Sequence, residues 1–105
     1  MKLNGQEVRF SITDPRDAKR YEETLKRLRA KEKELFNSQK EYTMEETMKE
    51  IINICRHAIR DFTGQDILKN CHDAQKAKDI LQQFLREAAR QTEQLLSPFD
   101  LGRIH

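Results

Sequence analysis

The side chains best suited to chemistry in this sequence fall into two small groups, Cys55 with His57 and the run Cys71-His72-Asp73. Cys55, His57, Cys71 and His72 are the one set of soft metal ligands, and a zinc site needs four such groups converging with tetrahedral geometry. Their spacing argues against it. On a helix, Cys55 and His57 point to roughly opposite sides, and Cys71 and His72 are adjacent where paired metal ligands are usually set a few residues apart. A core position is therefore expected for Cys55, a solvent-facing one for His57, and no metal. Cys71-His72-Asp73 has the residue types of a nucleophile, a base and an orienting group, but neighbours along a helix point in different directions and cannot form that relay. The three glycines are isolated, so no phosphate-cradling loop exists. Carboxylates interleave with bases, as on solvated helix surfaces. The residues thus predict a binding protein with no catalytic residues and no cofactor.

Length and composition bound what can position such groups. A chain of 105 residues supports one core. Apolar and charged residues each make up 36%, which suits a thin core carrying long solvated helices. The net charge of +2 is nearly balanced, whereas a dedicated nucleic-acid binder shows a clearer basic excess. No apolar run approaches membrane-spanning length, and the start MKLNGQEVRF lacks the apolar stretch of a signal peptide. An intracellular protein with reduced thiols is the expectation.

Asn4-Gly5 supplies both positive-φ positions of a type I′ turn, and Val8, Phe10 and Ile12 alternate after it, so the chain is expected to open with a β-hairpin. Its first arm is very short. A hairpin this small needs to pack on a helix or pair with another chain. Asp14-Pro15 then opens a first helix to about Phe36, with Tyr21, Leu25, Leu28 and Leu35 as a narrow seam. Thr43-Met44-Glu45-Glu46 reads as a capping box that starts a second helix. That helix carries Met48, Ile51, Ile52, Cys55, Ala58, Ile59 and Phe62 on a broad apolar face and ends at Gly64, so it is expected to be the most buried element. Asp66–Lys69 reads as one short helical turn. A last helix beginning near Asn70 or Asp73 shows Ala74, Ala77, Ile80, Leu81, Phe84, Leu85 and Ala88 on one side and stops at Ser97-Pro98. The predicted fold is mainly α: a short N-terminal β-hairpin followed by a three-helix bundle with a long first helix. Residues 1–96 form one domain and 97–105 a tail.

Three candidate protein-binding surfaces follow. The hairpin edge offers Val8 and Phe10. The first helix offers a strongly charged surface that includes Arg20 and Arg27, and a seam suited to pairing with the second helix or with another subunit. Its basic residues also suit phosphates, but the interleaved acids would repel the same backbone, so a solvated face is the preferred reading and nucleic acid the open alternative. The tail offers Phe99, Leu101 and Ile104 beyond a proline stop, a pattern for docking in a groove, with packing on the domain's own core as the alternative.

Lys2-Leu3-Asn4-Gly5 with Val8-Arg9-Phe10, the Ile12-Thr13-Asp14 entry and Tyr21-Glu22 together resemble a family of small prophage proteins of Gram-positive bacteria. Ile54-Cys55-Arg56, Asp61-Phe62-Thr63-Gly64 and the segment from Asn70 to Phe84 look like that family's later helices and glycine break. The resemblance implies a non-enzymatic adaptor or tail-assembly chaperone in the host-cell cytoplasm, bound to a phage structural protein. A more basic first helix and the extended tail depart from the family pattern. They leave open a second reading, inhibition of a host nuclease or defence complex.

Overall fold

The computed structural model describes residues 1–37 and 41–97. A short antiparallel hairpin, β1 (Lys2–Leu3) and β2 (Gln6–Glu7), precedes three helices, α1 (Pro15–Asn37), α2 (Met44–Thr63) and α3 (Ala74–Leu96). The fold is mainly α, as the sequence predicts. The first helix is long, but the last equals it at 23 residues.

Local chemistry sets the element boundaries. Asn4 and Gly5 have φ of 51° and 76°, the left-handed pair that the hairpin turn requires. Lys2 pairs with Glu7 and Leu3 with Gln6, and the Val8 N–H donates to the Met1 carbonyl at 2.8 Å. There the ladder ends, because β1 has no further residue to offer. The expected alternating strand through Val8, Phe10 and Ile12 is therefore an irregular segment.

α2 begins with the capping box in full. The Glu46 N–H donates to Thr43 Oγ1 at 3.1 Å, and the Thr43 N–H donates to Glu46 Oε1 at 3.2 Å. It closes on Gly64 at φ 75°. The Arg20 guanidinium lies 3.4 Å from where a Cβ on that glycine would sit, so the cation rests at the negative end of the α2 dipole. At the start of α3, Asp73 Oδ1 accepts from the N–H groups of Gln75 and Lys76.

α2 is the central helix, packed on α1 at one side and on α3 at the other. α1 runs antiparallel to it, with Tyr21 5.4 Å from Phe62 between ring centroids and Arg27 beside Asp61. α3 runs in the same direction as α2: Phe62 stacks on Phe84 at 4.6 Å, and Cys55, two turns earlier, feels the charge of Lys78. A same-direction pair needs a connection that travels back along the helix, and residues 64–73 supply it. Arg56 clamps Asp66 through two hydrogen bonds of 2.8 and 2.6 Å, and Ile67 and Leu68 are buried as anchors. The helical turn expected at Asp66–Lys69 is instead a pair of tight turns, closed by Lys69 N–H to Asp66 O and Cys71 N–H to Leu68 O.

Phe10, Tyr21, Phe62 and Phe84 form one aromatic cluster to which the entry segment and all three helices contribute. Ring faces and edges at these distances add to the area they bury. Ile12 N–H donates to Gln91 Oε1 at 3.0 Å, which ties the same segment to the second half of α3. Thr24 is 1% exposed and belongs to the α1 seam between Tyr21 and Leu28, although it lacks an apolar side chain.

Candidate functional site

The lateral position of α3 decides which surfaces of the α1–α2 pair stay open. On the side away from α3 a groove of about 400 Å³ runs between α1 and α2. Its floor is Thr24, Leu28, Ile54 and Ala58; Arg27 and Lys31 line it from α1, and Glu50, Asn53, His57 and Asp61 from α2. These residues recur at three- and four-residue steps on each helix, so two helical stripes meet along it. Arg27 Nη2 donates to Thr24 Oγ1 at 3.2 Å and lies 3.5 Å from Asp61 Oδ2. Both side chains are about half exposed, where an ion pair contributes little and exchanges partners readily. The groove thus has an apolar floor, a basic wall on α1 and an acidic edge on α2.

The register also leaves the start of α2 without α3 beside it. With Phe84 stacked on Phe62, the first residue of α3, ten residues earlier, falls opposite about Ile52, so the first two turns of α2 have no α3 beside them. Met44 is 75% exposed and Phe36, at the end of α1, is 76% exposed; Tyr42 and Met48 are partly exposed. α2 is therefore not buried along its whole apolar face. Its fully buried residues begin at Cys55, with Ile51, Ile52 and Ile54 partly buried against the core.

The two cysteine groups do separate structural jobs. Cys55 is buried, and burial, followed by the charge of Glu32 and the neighbouring Cys71, pushes its thiol up to about 11. A thiol this far above neutral pH is a poor source of thiolate nucleophile. Cys71 Sγ–H points at the Asp73 carbonyl, and the Asp73 carboxylate is engaged in capping α3. His57 lies on the groove wall, away from Cys55. Among the described residues, no three His, Cys, Asp or Glu side chains converge as metal ligands.

The surfaces expected from sequence are redistributed. Val8 and Phe10, offered as a hairpin contact surface, are 3% and 9% exposed and belong to the core. The hairpin is too small to stand alone, and packing on the helices is the solution it takes. Arg20 sits against the α2 terminus, while among the described residues Arg27 is the one expected contact residue that lines the groove. Phe99, Leu101 and Ile104 lie outside the described residues. Sequence reading missed Asn53, His57 and Asp61 as a set; their spacing of four along α2, on the flank opposite the α3-facing stripe, is the signal that points to them. A second hollow, between β1 and α3, is bordered by Lys2, Gln83, Arg86 and Arg90. Arg90 pairs with Glu87 there, and Gln83 Nε2–H donates to the Lys2 carbonyl.

None of the described helices is long and apolar enough to cross a membrane. Compared with protein-family models, with curated proteins and with solved structures, the chain finds no match in any of the three.

Proposed function

We propose that this chain is a non-catalytic adaptor that holds a helix of a protein partner in the groove between α1 and α2. The observation that carries this reading is the groove itself, an apolar floor between walls of opposite charge. An amphipathic helix laid there would complete a second three-helix layer, with α1 and α2 shared between α3 and the guest. Arg27 and Lys31 select acidic residues along one edge of that helix, and Glu50 and Asp61 select basic residues along the other. The likeness to small prophage proteins supports a phage structural protein as the partner and a tail-assembly chaperone as the role.

Copurification of the tagged full chain from the cell that carries its gene, with mass-spectrometric identification of stoichiometric partners, tests this. Asn53→Arg, which fills the groove from an exposed position, is expected to lose the partner while keeping the helical circular-dichroism spectrum. A partner retained by Asn53→Arg would refute the groove. A nuclease or defence subunit recovered in place of a tail protein would keep the groove and replace the phage-assembly role with inhibition.

A further inference from the structure

We propose that the hollow between β1 and α3 is an anion site that takes a phosphoryl group, free or carried by a small molecule. None of its residues lines the α1–α2 groove, and the proposal does not depend on what the groove binds. The hollow measures about 440 Å³, within the range of small-molecule sites. Lys2 and Leu3 form one side of it from β1, and Gln83, Arg86, Glu87 and Arg90 form the other from α3. Two contacts fix these sides relative to each other. Leu3 is fully buried in the core, and the Gln83 Nε2–H donates to the Lys2 carbonyl at 3.2 Å. Lys2 is thereby pinned beside the face of α3 on which Arg86 and Arg90 stand one turn apart.

The balance of charge says what the hollow takes. Lys2, Arg86 and Arg90 bring three cations to it from two elements, and Glu87 is the one carboxylate among its lining residues. Arg90 engages both oxygens of that carboxylate, with Nε–H donating to Oε2 at 2.9 Å. The hydrogen bonds from Arg90, followed by its charge, Gln91 and the Met1 ammonium, hold the Glu87 carboxyl below the usual carboxylate range, so the pair stays ionised and Arg90 stays oriented. Glu7, across the strand ladder from Lys2, lies 3.3 Å from the Met1 amino group. Among the described residues, no carboxylate lies within ion-pair distance of Lys2 or Arg86. These two cations are the ones a ligand can meet. A carboxylate offers a single charge and two coplanar oxygens. A phosphate monoester offers close to two charges and three terminal oxygens, enough to meet the Arg86 fork and the Lys2 ammonium together while Arg90 remains on Glu87.

Heteronuclear NMR of the full chain at low ionic strength, titrated with inorganic phosphate and with adenosine monophosphate to ~10 mM, tests this. Saturable amide shifts centred on Lys2, Leu3, Gln83 and Arg86 are expected, and none from adenosine, which lacks the phosphoryl group. A response to both phosphate probes would uphold the site with free phosphate as a sufficient ligand; a response to the monophosphate alone would uphold it for a monoester. Lys2→Gln and Arg86→Gln are each expected to weaken binding by about tenfold, the loss of one charge-assisted contact. Both side chains are exposed, so the amide spectrum of the core should not change. Lys26→Gln, which removes an exposed cation from α1, is expected to bind as wild type does. No saturable response to either phosphate probe, shifts spread over the basic residues of α1, an unchanged affinity in Arg86→Gln, or an equal loss in Lys26→Gln would each overturn the proposal.

Discussion

The two halves of α2 have similar apolar patterns and opposite fates. From Cys55 to Thr63 its face meets α1, α3 and the entry segment, and Ile59 and Phe62 are fully buried. From Met44 to Ile51 the pattern continues, but α3 has not yet begun, and Met44 and Met48 remain exposed. A hydrophobic stripe therefore reports that a helix has something to bury; where its neighbours start and stop decides whether it is buried within the chain. The proximal half holds the fold, and the distal half leaves apolar side chains exposed.

Substitutions at matched aromatic positions should separate the halves most sharply. Phe84→Ala removes the ring stacked on Phe62 in a fully buried site and is expected to cost about 3–5 kcal/mol in denaturant unfolding. Phe36→Ala should stay within about 0.5 kcal/mol. Equal losses at the two sites would erase the distinction. Gly64→Ala forces a Cβ onto a positive-φ cap beneath the Arg20 guanidinium, and a loss of roughly 1–2 kcal/mol is expected in thermal melts.

A smaller effect belongs to acid. Hydrogen bonds from Arg56, with added attraction from Arg56, Arg60 and Lys69, hold the Asp66 carboxyl below the usual carboxylate range. Its stabilising contribution is therefore complete above the ordinary aspartate value and lost as pH falls through the lowered one. Asp66→Asn should be less stable than wild type at neutral pH, and the gap should narrow as pH falls below the ordinary aspartate value. A gap that persists in acid would mean that the clamp acts through packing and not charge. Least affected should be Thr43→Ala. Loss of an N-cap ordinarily costs about 1 kcal/mol, but this cap secures turns that lie outside the core. Less than about 0.5 kcal/mol of global stability is expected to go, with amide exchange accelerated in the first turns of α2.

What the sequence made legible was local. The Thr43–Glu46 capping box, the Gly64 stop, Pro15 at the first helical position and Asp73 before α3 all work through neighbouring backbone groups, so a single window of residues contains the whole cause. Val8 and Phe10 show the limit. Alternation after Asn4-Gly5 identifies an inward face but not what covers it, and only a two-residue β1 decides that the strand is abandoned and both side chains enter the helical core. Thr24 escaped notice because its place in the seam depends on position and not polarity. Ile52 and Ile59 were both expected on the apolar face of α2; Ile59 is fully buried, whereas Ile52 is half-buried. The groove and the exposed first turns of α2 were illegible for one shared reason. Both depend on the direction of α3, which the buried crossover through Ile67 and Leu68 sets at long range.

Native-state amide hydrogen exchange along α2, read residue by residue on the full chain at low concentration, tests the division of labour between the halves of that helix. Amides from Cys55 to Thr63 are expected to exchange only through global unfolding, and those from Met48 to Ile51 at least about tenfold faster through local opening. Uniform protection from one end of α2 to the other would contradict it.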